Sequence, residues 1–157
     1  MKAARHLTLQ LAAPADAEPI AAMSRELIEA GLPWSWTPER VARNLRHPET
    51  LVLTARGGKR LAGFAIMQFG DERAHLSLLA VHPDHQRQGV GGCMLDWLTA
   101  SALTAGIAGI HLELRETNLA ARRFYLNQGF AETARIPGYY RGIETAVRML
   151  REIRIKA

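Results

Sequence analysis

The sequence contains one cysteine, Cys93, and no apolar run close to the roughly 18 residues of a membrane-spanning helix. A single cysteine excludes an internal disulfide, and the short apolar runs argue against a transmembrane segment. The first residues, MKAARHLTLQL, imitate a signal peptide only superficially, because Leu7, Leu9 and Leu11 alternate with polar residues as in a half-buried strand. We therefore expect a cytoplasmic protein without membrane association.

Aromatic residues make up only 6% of the chain, and the basic residues are scattered along it. The formal net charge of +5 would fit nucleic-acid binding, but proteins of that class gather Lys and Arg into a patch. We therefore expect no direct contact with nucleic acid. A modest positive excess also suits an enzyme that binds a polyanionic cofactor.

Motifs for metal ions and for nucleophilic hydrolysis are also missing. His82 and His85 form an H-x-x-H pair, but no further cluster completes a zinc set, so we expect no metal. No G-x-S-x-G elbow occurs. Cys93 falls on the apolar stripe of a predicted helix, which makes it a poor carrier for a covalent intermediate.

The patterns that are present indicate one α/β (α+β) domain over residues 1–157. Hydrophobic residues make up 48% of the chain, and it shows neither an internal repeat nor a linker. Periodicity and turn residues predict the order β-α-α-β-β-β-α-β-α-β-β. The predicted elements are a strand over 7–11, helices from 14 to 31 and from 37 to 47, strands 50–55, 60–70 and 74–81, helix 89–105, strand 107–114, helix 119–127, and strands 131–135 and 145–153, with a loop at 138–142.

The stretch HPDHQRQGVGG, residues 82–92, joins a predicted strand to a predicted helix. Glycines let the backbone approach a ligand closely, and the amides in the first turn of a helix lack internal partners. Such a loop is suited to an anion, and a phosphate is the best biological candidate. The spacing of Gly89, Gly91 and Gly92 matches neither the dinucleotide-binding fingerprint nor the Walker motif.

Two motifs carry a resemblance to a known family. The first is Q-x-x-G-x-G, filled by Gln86, Gly89 and Gly91. The second is LELRETNLAARRFYLNQGF, residues 112–130, in which Asn118 lies five positions after Glu113 and Tyr125 lies seven positions after Asn118. Together they resemble the GNAT superfamily of N-acetyltransferases, and most of all the bacterial ribosomal-protein-alanine N-acetyltransferases.

This resemblance implies a mixed, mostly antiparallel central sheet flanked by helices, with acetyl-CoA between the fourth and fifth strands. Its glycine loop would hold the pyrophosphate, and the end of the fourth strand would offer backbone groups to the pantetheine arm. The cofactor-binding residues implied in this way are Leu79, Ala80, Val81, Gln86, Arg87, Gln88, Gly89, Val90, Gly91, Gly92, Asn118 and Tyr125.

Glu113 and Tyr125 are the catalytic candidates. A carboxylate inside an apolar strand is costly unless it is paired or functional, and a positioned carboxylate can take a proton from an amine. Glu113 could instead simply pair with Arg115 or another cation at the strand end. The resemblance places the general acid at Tyr125, which could otherwise be a core tyrosine beside Phe124. Asn118 also suits a helix N-cap.

Four aromatic residues are candidates for the acceptor site. Trp34 and Trp36 lie in the connector between the first two helices, where indoles either fill the core or form the wall of a groove. Tyr139 and Tyr140 fall where the family places a loop over the acceptor, although simple packing at the rim would also explain them.

The resemblance implies direct acetyl transfer from acetyl-CoA to a primary amine. An α-amine, with a pKa near 7.7–8, is partly neutral at pH 7, whereas a lysine near 10.4 is almost wholly charged. The resemblance to ribosomal-protein-alanine N-acetyltransferases implies that the acceptor is a protein N-terminal α-amine, and the greater neutral fraction of such an amine is compatible with this. The alternatives are a small amine, such as an amino acid, polyamine or antibiotic, and a non-catalytic acyl-CoA-binding module. We expect a monomer or a homodimer.

Overall fold

A computed structural model describes residues 7–154, and a seven-stranded sheet crosses it in the order β1-β2-β3-β4-β5-β7-β6. Two short 3-10 helices, Pro14–Asp16 and Pro83–His85, precede α1 and the glycine loop. The remaining elements are β1 Thr8–Leu11, α1 Ala17–Leu27, α2 Pro38–Arg46, β2 Thr50–Gly57, β3 Arg60–Phe69, β4 Arg73–Val81, α3 Val90–Thr104, β5 Gly109–Arg115, α4 Leu119–Asn127, β6 Ala131–Tyr140 and β7 Glu144–Glu152.

Every pairing in the sheet is antiparallel except that of β4 with β5. Those two strands run parallel and pair only over Arg73–His75 and Gly109–His111. Beyond this short ladder they separate. The expected mixed, mostly antiparallel sheet with an opening between the fourth and fifth strands is confirmed.

A β-bulge at Ser77 coincides with the separation. Ile66 of β3 pairs with Leu78, whereas the next residue, Met67, pairs with Leu76, so Ser77 is an extra residue in β4. A bulge bends its strand and increases the local twist. It also exchanges the two faces, because Leu76 packs into the core beneath α3 whereas Leu78 packs into the core beneath α1 and α2.

Two apolar cores cover the two faces of the sheet. One lies under α3 and α4 and includes Met94, Leu98 and Tyr125; the other lies under α1 and α2 and includes Ile20 and Val41. The spacing of these residues on their helices is what places them against the sheet. The helix layer of α1 and α2 packs over β2, β3 and β4, which leaves the same face of β5 and β7 for polar residues.

The prediction of a loop over 138–142 is wrong, because β6 continues to Tyr140, which pairs with Glu144 of β7. Gly138 has a φ of 69° and lies where the register between the two strands shifts, so it makes an irregularity inside the hairpin. The actual turn contains Arg141 and Gly142, with φ angles of 57° and 71°. Tyr139 and Tyr140 therefore end a strand near the tip of a hairpin.

Within residues 7–154 the longest helix is α3, with 15 residues. No helix in this part of the chain combines the length and apolar character needed to cross a membrane.

Candidate active site

A groove of about 1200 Å³ opens where β4 and β5 separate. It runs from the glycine loop, between the two strands, to the α1–α2 loop and the tip of the β6–β7 hairpin. Trp34 and Gln88 lie outside its lining. The predicted residues that the fold brings together along the groove are Leu79, Ala80, Val81, Gln86, Arg87, Gly89, Val90, Gly91, Gly92, Glu113, Asn118, Tyr125, Trp36, Tyr139 and Tyr140.

The glycine loop ends in a helix N-terminus that faces the groove. Gly89, with a φ of 79°, is the N-cap of α3, and its carbonyl accepts the first helical hydrogen bond from the amide of Cys93 at 3.0 Å. The amides of the first turn lack partners within the helix. A Cβ on Gly91 would lie 3.2 Å from Cζ of Phe124, so a glycine keeps this turn close to α4. Such a turn is suited to a phosphate.

The end of β4 has one free edge toward the groove. Residues 79–81 pair with β3 on one side, whereas the described pairing with β5 ends at His75. Gln86 ties the loop to this strand end, because its Nε2 donates to the carbonyl of Val81 at 3.0 Å. Unpaired strand groups in a groove can bind the backbone-like amides of an extended ligand.

Glu113 lies on the floor of the groove with a side chain only 7% exposed. His75 Nε2 donates to its Oε1 at 2.7 Å, and Arg148 Nε donates to its Oε2 at 2.8 Å. Arg115, the partner considered from the sequence, instead lies 3.8 Å from Glu144. The carboxylate is thus paired, and it also faces a ligand groove.

Burial alone would raise the pKa of Glu113, but the hydrogen bonds and positive charges of His75 and Arg148 outweigh it and lower the pKa to about 2. The carboxylate is therefore ionised at neutral pH. Burial, together with the nearby charge of Glu113, raises the pKa of Tyr139, whose hydroxyl faces the same carboxylate. A fixed negative charge among neutral phenols is well placed to hold a cationic amine.

Tyr125 is buried in α4 and packs edge to face against Phe124 at 5.0 Å and Phe130 at 5.4 Å between ring centroids. Burial raises its pKa well above the ordinary value, so the phenol keeps its proton. Tyr125 belongs to the core and also lines the groove, so it fits both sequence interpretations. Asn118 is confirmed as the cap of α4, since its Oδ1 accepts from the amide of Ala121 at 3.1 Å.

The α1–α2 loop is organised by a buried carboxylate that the sequence did not reveal. Glu29 accepts hydrogen bonds from the Ser35 amide and hydroxyl, both at 2.7 Å, and from Ser24 Oγ at 2.9 Å. Across the groove, Nη1 of Arg141 donates to the carbonyl of Gly31 at 3.2 Å. The loop and the hairpin tip are thus joined over one end of the groove.

The two tryptophans of this loop have different surroundings. Trp36 is 7% exposed, belongs to the core under α1 and α2, and lines the groove beneath the guanidinium of Arg40, which lies 3.8 Å from the ring centroid. Trp34 packs back on α1, where its Nε1 donates to the carbonyl of Ala21 at 3.2 Å. Trp36 therefore both packs in the core and lines the groove, so both interpretations apply to it.

His75, His111 and Glu113 are close enough to suggest a metal site, with one ligand atom of each lying within 4.8 Å of the others. The two imidazole rings, however, are stacked 4.7 Å apart at an interplanar angle of 17°. A metal ion lies close to the plane of each imidazole that binds it, and two nearly parallel, stacked rings share no such point. We therefore assign no metal to this cluster.

The sequence profile of the acetyltransferase (GNAT) family matches residues 20–130. The ribosomal protein bS18-alanine N-acetyltransferase of Escherichia coli (strain K12) is 35% identical over 105 residues, which are 67% of this chain and 70% of that enzyme. The crystal structure of the ribosomal-protein-S18-alanine N-acetyltransferase from Escherichia coli is similar with a TM-score of 0.80 and 32% identity, over 96% of both chains. The structure of YncA from Salmonella typhimurium with its cofactor acetyl-CoA shares the fold, with a TM-score of 0.78 and 21% identity over 98% of this chain and 97% of that one.

Proposed function

The chain belongs to the GNAT family of N-acetyltransferases, and we propose that it transfers the acetyl group of acetyl-CoA to the α-amine of a protein N-terminus. The observation that carries this proposal is the ionised Glu113 on the floor of a groove between two separated strands. The 35% identity to an enzyme whose acceptor is a ribosomal-protein alanine supports the choice of acceptor.

In this proposal acetyl-CoA lies along the groove within a single domain. Its pyrophosphate meets the amides of the glycine loop, from Arg87 to Gly92, and its pantetheine arm pairs with the free edge of residues 79–81. Asn118, at the start of α4, lies beside the arm. The positively charged side chain of Arg87, which has a φ of 63°, adds to the attraction for phosphate.

The acceptor enters from the end formed by the α1–α2 loop and the hairpin tip. Its ammonium group binds beside Glu113 and must lose a proton before the nitrogen can attack the thioester carbonyl. As the C–N bond forms and the C–S bond breaks, the hydroxyl of Tyr125 donates its proton to the leaving thiolate. The nitrogen loses its second proton at the same stage. One of the two nitrogen protons goes to solvent, and the other restores the phenol of Tyr125.

One observation favours a small amine as the second candidate acceptor. Arg141 joins the hairpin tip to Gly31, and Trp36, Tyr139 and Tyr140 line the same end of the groove. A groove end that is covered in this way suits a short acceptor better than a long extended peptide. A non-catalytic acyl-CoA-binding module is the third possibility, and it requires that acetyl-CoA bind without turnover.

One assay distinguishes the three candidate functions. It measures thiol release from acetyl-CoA, separately with peptides of varied free N-termini and with small amines. Turnover with peptides alone is expected. Glu113→Gln and Tyr125→Phe should then lower kcat by roughly 10²-fold or more, because each removes a group that acts on a transferred proton or its charge. Glu116→Gln is the control, because the Glu116 side chain is 44% exposed and pairs with Arg135 at the surface.

Turnover with small amines alone would refute the peptide acceptor and leave the family activity intact. If neither pool reacts while acetyl-CoA still raises the melting temperature, the binding module is favoured.

A further inference from the structure

A chain of polar contacts crosses the floor of the groove from β3 to β5. Ser77 Oγ lies 3.3 Å from Gln68 Oε1 and 3.4 Å from His75 Nδ1, and His75 Nε2 lies 2.7 Å from Glu113 Oε1. All four side chains line the groove. Beyond Gln68 the chain reaches Asn44 of α2, whose Oδ1 accepts from Gln68 Nε2 at 3.2 Å.

His75 occupies a position defined by the sheet. It pairs with Gln68 in β3 and with His111 in β5, and it is the last residue of β4 before the two strands separate. Its side chain is 33% exposed, so one face of the ring contacts the groove. A titratable ring on a half-buried sheet face, bonded to a buried carboxylate, calls for a functional explanation.

Glu113 alone is a poor proton acceptor for an amine. Its two carboxylate oxygens already accept hydrogen bonds from His75 and Arg148, which stabilise the ionised form. A proton from an α-ammonium group, with a pKa near 7.7–8, would move uphill onto such a carboxylate. An imidazole is the side chain that ordinarily exchanges its proton between pH 5 and 8, the range in which an α-ammonium group also begins to release one.

We propose that His75 takes up the proton released by the acceptor amine and passes it to solvent, while Glu113 orients the ring through Nε2. The inference rests on the proposed acetyl transfer. His75 acts beside Glu113, as a proton relay and not as a group that touches the acetyl carbon. Glu113 keeps its negative charge throughout and stabilises the imidazolium that forms.

Along this series of polar contacts, each hydrogen has an acceptor both when the His75 ring is neutral and when it is protonated. In the neutral ring, Nε2–H donates to Glu113, and the Ser77 hydroxyl can donate to Nδ1. The amine proton reaches Nδ1 through Ser77 or a water in the groove, which is open to solvent. In the imidazolium, both ring nitrogens donate, and Ser77 turns its single hydrogen to Gln68 Oε1. The ring then releases the proton to water.

In the described part of the chain, charged and titratable groups from four strands lie around His75. They are Glu113 and the stacked His111 from β5, Arg148 from β7, Tyr139 and Tyr140 from β6, and Arg73 from β4, the strand of His75 itself. Glu113 is the acidic group among them, and its 2.7 Å hydrogen bond to the ring is the contact through which it orients His75.

His75→Gln tests the relay, because the amide can still donate to Glu113 but cannot carry a proton. The assay uses the acceptor that the wild-type enzyme turns over. We expect kcat to fall by roughly 10²-fold with the KM for acetyl-CoA unchanged. In the wild type, the profile of kcat against pH should have an acid limb, and this limb should be lost in the variant, because an amide cannot bind the transferred proton.

His75→Ala provides a second readout, since it leaves a space open to the groove. Added imidazole should restore part of kcat in proportion to its neutral form, which a purely structural role for His75 would not produce. His111→Gln is the matched control: it changes the stacked imidazole, which makes no hydrogen bond to Glu113 among the described contacts, and its pH profile should keep the acid limb that His75→Gln loses.

The relay would be overturned if His75→Gln kept the wild-type kcat and an intact acid limb. It would also be overturned if His75→Ala had the wild-type melting temperature but was inactive and did not respond to imidazole. Absence of turnover in the wild type, by contrast, counts against the proposed function.

Discussion

Replacing Glu113 by Gln should change how the stability of the protein depends on acid. The carboxylate is 7% exposed and accepts hydrogen bonds from His75 and Arg148, and its pKa is lowered from 4.5 to about 2. The unfolded chain therefore binds a proton at Glu113 below about pH 4.5, whereas the folded chain binds it only near pH 2. In this window unfolding takes up a proton, so stability falls as the pH falls.

The size of the effect follows from the same two values. Each pKa unit corresponds to about 1.4 kcal/mol, so the ionised carboxylate contributes on the order of 3 kcal/mol at neutral pH. About 3 kcal/mol remains at pH 5 and about 1.4 kcal/mol at pH 3, and almost none remains below pH 2. Glu113→Gln has no such titration, so the difference in stability between the two proteins should shrink by about 2 kcal/mol from pH 5 to pH 3.

Urea unfolding at several pH values between 5 and 3, below the ordinary titration range of histidine, measures this difference. Glu116→Gln is the control, because the Glu116 side chain is 44% exposed and such a surface pair contributes little. A stability difference between wild type and Glu113→Gln that stays constant over this range would refute the reasoning. It would mean that His75 and Arg148 do not hold Glu113 in its ionised form.

Three further substitutions test separate parts of the groove. Gly91→Ala places a Cβ 3.2 Å from the ring of Phe124, so the ring and the helix turn must move apart by a few tenths of an ångström. Steady-state kinetics should show a higher KM for acetyl-CoA with little change in kcat. Glu29→Gln replaces a carboxylate oxygen that faces hydrogen-bond donors, and thermal or urea unfolding should reveal a loss of about 1–3 kcal/mol. Arg141→Ala removes the bond to Gly31, and acceptor titrations should show a changed KM for the acceptor while that for acetyl-CoA stays constant.

Helices and strands with clear local signals could be predicted from the sequence. Helix α4 has the predicted bounds, Leu119–Asn127, because Asn118 caps its start and Gly129, with a φ of 89°, ends it. Thr37 likewise caps α2, accepting from the amide of Arg40 at 3.3 Å. These signals act within one turn of helix, so they do not depend on the rest of the fold.

The hairpin from β6 to β7 shows where local signals mislead. Two glycines around a tyrosine pair are typical of a loop, but here Gly138 makes an irregularity within a strand that resumes at Tyr140. Cross-strand pairing with β7 decides the outcome, and it is not visible in the residues of β6 alone. The exposed face of β6 also lacks the apolar alternation that marks a half-buried strand.

The residues that surround Glu113 could not be found in the same way. In the sequence, Glu113 is recognisable as an acid in an apolar strand, and the glycine loop is recognisable by its composition. His75 and Arg148, however, lie 38 and 35 residues away along the chain, and only the register of β4, β5 and β7 brings them to one carboxylate. Glu29 is hidden for a similar reason, since its partners become apparent only when the loop is folded.

One local signal in β4 does connect the fold to the site. Ala74 to Leu78 alternate apolar and polar, but Leu78 to Val81 are all apolar. A strand with one polar face has therefore become a strand with two apolar faces, and the change occurs next to Ser77, where the bulge exchanges the faces. Before the bulge, His75 belongs to the polar floor beside Glu113; after it, the strand leaves β5 and exposes one backbone edge. The same extra residue thus separates the part of β4 proposed to relay the proton from the part proposed to hold the cofactor.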